Sequence, residues 1–366
     1  MKYISMLKIA AVFATLQLTH SVYENFFLKS TDLQNIKSFL VSLGIATDKA
    51  LLADTELATF KELYDAYKSY SNSFSYKDIL NDLNGGAEDE CSEDIPIIVP
   101  FNDTFSREIM HPIAAAAYAS DPQLCLTNKL IQKVLANCGP ELVDECSGFI
   151  ALSYHYKAII LSFRGTTQLR QFINQRYQVQ FEPKRPIQGG GNVARYFVDA
   201  FNSVWKGGLR NNFEVLKRQY PSYGLWITGY SLGGSMAAVA AHIIVAEKQF
   251  DPNRITLLTF GETRTGDMEF AEAQNRMLPV CYRVVGRDDI IPHLPLLFKR
   301  GYRHYGPEIL FQVWYNNSMG INDSYSICTK IEDKRCSTGK VRSISIIDHL
   351  FYYQRFIFTY GELGCI

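Results

Sequence analysis

The chain has 366 residues, of which 47% are hydrophobic and 13% aromatic, enough to bury one large core and a smaller second module. Its 37 basic and 37 acidic side chains cancel. No overall field therefore draws it to nucleic acid or to an anionic surface.

At the N-terminus Lys2 and Lys8 precede an apolar stretch from Ile9 to Leu18, with small and polar residues after it. That layout predicts a secretory signal over residues 1–21, and the stretch is too short to span a bilayer. No later segment has eighteen uninterrupted apolar residues, so no transmembrane helix is expected. Residues 22–92 read as a small helical module with an acidic linker: Leu57, Phe60, Leu63, Tyr64, Tyr67 and Tyr70 recur at helical spacing, Asn84-Gly85 is a stop signal, and "AEDECSED" follows.

From about residue 105 to 366 the pattern changes to helices alternating with short apolar strands. "REIMHPIAAAAYA" predicts a helix, "GFIALSYHYKAIILSF" a hairpin about His155, and "YFVDAFNSVWKGGLRNNFEVLKRQY" a long helix broken at Gly207. "YGLWIT", "SMAAVAAHIIVAEKQ", "RITLLTF" and "PVCYRVVG" continue the alternation. Strands alternating with amphipathic helices imply an α/β fold, a largely parallel central sheet covered by helices.

Between the strand "LWIT" and the helix "SMAAVAAHIIV" lies "TGYSLGG", residues 228–234. Ser231 sits on a sharp strand-to-helix turn, with Gly229 and Gly233 where a side chain would collide with neighbouring elements, as in the nucleophile elbow of α/β-hydrolases. Its exposed hydroxyl needs a base, and the base an orienting carboxylate. His20 falls in the signal, His111 and His242 in apolar helices, His155 in a turn. Of His293, His304 and His349, the last lies downstream of every acidic candidate and satisfies the chain order Ser, Asp, His. The acid is expected after the strand "YRVVG", where Asp288 and Asp289 both qualify by composition.

Eight cysteines without a CxxC pair point to disulfides of an oxidising compartment rather than to a metal, and Cys138 with Cys146 is paired by local spacing. Asn102, Asn316 and Asn322 begin glycosylation triplets.

In order, "SFRGT" (162–166), "TGYSLGG", "TFGETRTGD" (259–267), "RDDIIPHLP" (287–295) and "DHLFYY" (348–353) resemble the class 3 (fungal-type) lipases, and the whole pattern looks closest to secreted nematode members. The resemblance implies an α/β-hydrolase fold and a secreted lipase-like ester hydrolase, with Ser231 as nucleophile, His349 as base and Asp289, rather than Asp288, as the acid. It implies an oxyanion hole from the backbone N–H groups of Thr166 and Leu232, with the Thr166 hydroxyl as a further donor. It also implies disulfides Cys125–Cys365 and Cys328–Cys336, which leaves Cys91 and Cys281 by subtraction.

No metal or organic cofactor is expected. The expected partner is a lipid or other ester at a lipid–water interface, and a lid is expected over residues 167–186. There Leu169, Phe172, Ile173, Tyr177, Val179 and Phe181 alternate with Arg170, Arg176, Lys184 and Arg185. The chain departs from the family at Tyr230, where histidine is usual, at Thr263, where proline is, and at "VARYF" (193–197). A phospholipase A1-type enzyme, a small-ester esterase, a silent lipid-binding protein and a carrier for the N-terminal helical module are the alternatives.

Overall fold

The computed structural model describes residues 100–366 except 140–143, 168–170, 172–174, 176–177, 180–181, 296–300, 305–309, 329–334, 341–344 and 346. The signal, the helical module, Cys91, Phe172 and Ile173 lie outside the described residues.

An N-terminal helix, α1, runs through Asp103–Phe105, Ser106–Met110 and His111–Ala116. Asn102 starts it by accepting the Phe105 N–H at 2.9 Å, which satisfies one of the donors a helix start leaves unpaired. Among the described residues the central sheet has eight strands: β1 (Lys129–Cys138), β2 (Asp144–Ser153), β3 (Ala158–Phe163), β4 (Gly224–Tyr230), β5 (Ile255–Phe260), β6 (Cys281–Gly286), β7 (Leu310–Tyr315) and β8 (Ser326–Cys328). Their order in the sheet follows the chain. β3 to β7 are parallel, and the pairs β1/β2, β2/β3 and β7/β8 are antiparallel.

Parallel strands need crossovers, which here carry α2 (Arg195–Val204), α3 (Arg210–Gln219), α4 (Leu232–Ala246) and α5 (Met268–Met277). Successive residues of a strand face opposite sides of the sheet, so one core forms on each side. Ile159, Leu161, Leu225 and Ile227 pack with α2 and α4, whereas Ile160, Leu258, Phe260 and Val284 pack with α1. α4 is apolar all round and almost wholly buried, the composition of a helix that lies inside a domain.

Three sequence expectations change. The break between α2 and α3 falls at Gly208, not Gly207: Gly208 has φ 144, and a Cβ there would lie 2.8 Å from the Gln132 amide of β1. Residues 184–186, expected within the lid, are instead the strand Lys184–Pro186, paired with Asn192–Ala194 in a separate four-stranded sheet. Arg185 there pairs with Asp199 at 2.7 Å, and Lys184 covers the Tyr302 ring, so neither is a loose basic residue of a flap. Strands β1, β7 and β8 were not expected at all.

Cys125–Cys365, Cys138–Cys146 and Cys328–Cys336 are bonded. Cys281 is buried at the start of β6.

Candidate active site

Ser231 joins β4 to α4 with φ 58 and ψ −125, a conformation that costs a residue with a side chain roughly 1 to 3 kcal/mol. The glycines around it permit the turn. A Cβ on Gly229 would lie 2.2 Å from the Gly233 carbonyl oxygen, and one on Gly233 would lie 2.1 Å from that of Phe163 in β3. The Ser231 N–H donates to the Phe260 carbonyl of β5 at 2.9 Å, so the turn is anchored to the next strand. Strain stored here is balanced by those packed neighbours, and it lifts the hydroxyl above the end of the sheet.

The Ser231 Oγ and His349 Nε2 are 2.9 Å apart, and His349 Nδ1 is 2.8 Å from Asp289 Oδ2. With a carboxylate on one side, Nδ1 carries the proton, and Nε2 accepts from the serine hydroxyl. His349 lies on a short helix, Ile347–Leu350, close against the turn at Gly261, where a Cβ would come 2.7 Å from the ring. Asp289 follows β6 and is fully buried. Its carboxylate also accepts the Tyr352 hydroxyl at 2.6 Å and the Ile291 N–H at 2.9 Å. A buried carboxylate with three donors has the compensation that burial demands. Asp288 is half-buried, and its backbone bonds Ser345 and Asp348.

The other histidines are elsewhere. His304 donates from Nε2 to the Pro292 carbonyl, His242 pairs with Gln274 at 2.9 Å, and His111 is buried beneath Tyr353 and Tyr360.

Leu232 is the first residue of α4, whose opening N–H groups have no acceptor within the helix and carry its partial positive charge. Gly165 packs against the same turn, since a Cβ on it would come 2.6 Å from the Tyr230 carbonyl oxygen and 3.3 Å from the Ser231 Cβ. Thr166 therefore follows directly beside the serine. Its hydroxyl donates to Gln175 Oε1 at 2.8 Å, so the side chain is committed to the segment that follows and only the backbone N–H is available. Among the described residues of that segment, Gln171, Gln175, Gln178 and Val179 have helical backbone, and Gln171 reaches the Glu145 carbonyl at 3.1 Å.

Two tyrosines beside the site were not assigned from the sequence. Tyr352 lies in the quoted "DHLFYY", where its spacing from His349 was the available signal. Tyr230 stacks on His349 and gives its hydroxyl to the His349 carbonyl. Burial, then the neighbouring Tyr118 and Asp289, push the Tyr230 phenol well above its usual range, so it is a donor at every working pH.

Residues 160–299 match the family described as "Lipase (class 3)". A lipase of Caenorhabditis elegans is 26% identical over 303 residues, covering 72% of this chain and 83% of its own. A Rhizopus niveus lipase is 31% identical over 218 residues, 58% of this chain, and the match spans about half of that relative's length, 52%. Among solved structures the lipase of Rhizopus microsporus var. chinensis superposes with a TM-score of 0.58 at 28% identity, covering 77% of this chain and 99% of its own. None of the described helices is long and apolar enough to cross a membrane.

Proposed function

We propose that the chain is a lipase of the class 3 type, which its residues 160–299 match, and that it is a secreted serine hydrolase cleaving carboxylic esters of lipids through an acyl-enzyme on Ser231. The observation that carries the reading is the unbroken series Ser231 Oγ, His349, Asp289 at the strained turn.

In this reading the Ser231 oxygen attacks the ester carbonyl carbon while its proton passes to His349 Nε2. Asp289 holds the ring and stabilises the imidazolium. The N–H groups of Leu232 and Thr166 receive the carbonyl oxygen as it becomes negative, where fixed donors act most strongly. The tetrahedral intermediate collapses, His349 protonates the departing alcohol, and the acyl group remains on Ser231. Water then attacks the acyl carbon with His349 as base, releasing the fatty acid and restoring the serine. Every proton moves between these side chains, the substrate and water.

Labelling with a fluorophosphonate tests the assignment. Adduct at Ser231 in the unaltered protein, none in Ser231→Ala and strongly slowed labelling in His349→Ala is the expected result; labelling that survives in Ser231→Ala removes the proposal.

The segment after Thr166 is proposed as the lid, in the shortened form that ends before Lys184. Its support is position, since Gln175 is tied to the oxyanion residue itself. Phe172 and Ile173 then turn towards lipid at an interface. Rates measured on dissolved short-chain and dispersed long-chain esters decide this: Phe172→Ser with Ile173→Ser should lower only the long-chain rate, and unchanged long-chain activity would make the enzyme an esterase without a working lid.

A further inference from the structure

The triplets that begin at Asn102, Asn316 and Asn322 are far apart in sequence, yet the fold gathers them onto one surface. Tyr315, the last residue of β7, donates its hydroxyl to Asp103, so the residue after Asn102 touches the residue before Asn316. Arg107 of α1, 212 positions before Met319, donates to the Met319 carbonyl and, at 3.1 Å, to that of Gly320. The rings of Phe101 and Tyr325 meet edge to face at 5.2 Å. Arg107 is itself buried and bonded to Asp103, so the start of α1 and the loop 316–325 are held as one rigid patch.

All three asparagines are exposed. Asn102 caps α1 through its oxygen, which leaves the amide nitrogen outside the capping bond. Asn316 and Asn322 make no side-chain hydrogen bond among the described residues. Beside Asn322 stands Ile321, 80% exposed, with Tyr325 also uncovered nearby. The patch borders the rim that carries Ser231: Asn316 follows β7 and Ser231 follows β4 at the same end of parallel strands, with β5 and β6 between them.

We infer that Asn102, Asn316 and Asn322 carry N-linked oligosaccharides that cover this patch and close the β7 side of the rim to a lipid surface, leaving approach from the β3 side where Thr166 lies. The inference rests on the secreted hydrolase reading, because only a chain entering the secretory pathway meets the donor. That donor is a lipid-linked oligosaccharyl pyrophosphate. Each asparagine Nδ2 forms a bond to the anomeric carbon, the pyrophosphate leaves with the electron pair of the broken carbon–oxygen bond, and a transferase base takes the amide proton. The covering sugar is hydrophilic and bulky, so it shields Ile321 and cannot lie flat in an interface.

The full chain, secreted from eukaryotic cells, is digested with a peptide amidase that releases N-linked glycans, and intact masses are compared. Three steps of mass loss are expected. Asn316→Gln and Asn322→Gln should each remove one step. Thr104→Ala should remove the third while sparing the Asn102 cap, and Thr104→Ser should restore it. With the glycans on, hydrogen exchange of residues 316–325 should not slow when phosphatidylcholine vesicles are added. Secreted protein that labels with fluorophosphonate but loses no mass overturns this inference and leaves the hydrolase reading intact. Slowed exchange in the patch on vesicles also overturns it, assigning Ile321 to lipid contact. Protein that loses the three mass steps but never labels leaves the sites standing and removes the hydrolase reading.

Discussion

The ring of Tyr230 lies against the imidazole of His349 with centroids 4.7 Å apart and planes 25° from parallel, and the Tyr230 hydroxyl donates to the His349 backbone carbonyl. The residue before the nucleophile thus fixes the base by face and by backbone. Tyr230→Phe keeps the stack and removes one hydrogen bond, so kcat/KM should fall by about fivefold, the equivalent of about 1 kcal/mol. Tyr230→His keeps a ring beside the base but loses the phenol that reaches the His349 carbonyl, so kcat/KM should fall at least as far as in Tyr230→Phe. Unchanged kcat/KM in both variants contradicts this account.

Ser231 separates activity from stability. Ser231→Ala should lower ester hydrolysis by about 10⁶-fold, the scale seen when a serine nucleophile is removed. Ser231→Gly should be equally inactive yet melt at a higher temperature than Ser231→Ala, because glycine adopts φ 58 without the side-chain penalty. Calorimetry of the two variants side by side reads this directly.

The two aspartates after β6 should behave differently. Asp289→Asn keeps the shape but offers an amide where His349 and Tyr352 both donate, and a loss of about 10⁴ is expected, as in the serine protease template. Asp288→Asn should cost under about 1 kcal/mol, the scale of a half-exposed charge. Steady-state kinetics of the pair would expose a wrong assignment if the losses were reversed.

Acid should destabilise the fold through two buried histidines. Burial, followed by Arg355 and Arg107, pushes His111 down to about 3, and burial pushes His242 down to about 4 against the opposing bond from Gln274. Both are neutral when folded and take up a proton near pH 6.5 when unfolded, so the unfolded chain binds more protons below that pH. Stability is therefore full above about 6.5 and falls as pH drops towards 4, by roughly 2 kcal/mol per histidine at pH 5. His111→Phe, which preserves a ring against Tyr360, should flatten the fall in unfolding free energy between pH 7 and 5.

Disulfides of unequal span should contribute unequally. Cys125–Cys365 closes 240 residues and ties the end of the chain to the region of α1, whereas Cys138–Cys146 closes 8 at the β1/β2 hairpin. Loop-closure entropy assigns roughly 5 kcal/mol to the first and roughly 2 to 3 to the second. Denaturant unfolding of Cys125→Ala/Cys365→Ala beside Cys138→Ala/Cys146→Ala should show the larger loss in the first pair.

What the sequence determined by itself was local. Strand, glycine-spaced serine and apolar helix sit within some twenty residues, and the reason for Gly229 is a collision with Gly233 in that same stretch, whereas Gly233 is needed because β3, at Phe163, packs against the turn. The alternation of β3 to β6 with helices was legible because strands buried on both faces are apolar throughout. β1 escaped because it is an edge strand of mixed burial, and its polar residues hide the period. Composition left Asp288 and Asp289 equivalent; family pattern chose between them, and only the turn after β6 turns one carboxylate inward to meet a ring 60 residues later. Tyr352 on Asp289, Tyr230 on His349, Gln175 on Thr166 and the convergence of Asn102 with Asn316 all depend on how distant segments pack. Hydrogen bonds and ring contacts are settled at ångström range, and a sequence fixes such distances only after the whole chain has closed its two cores around the sheet.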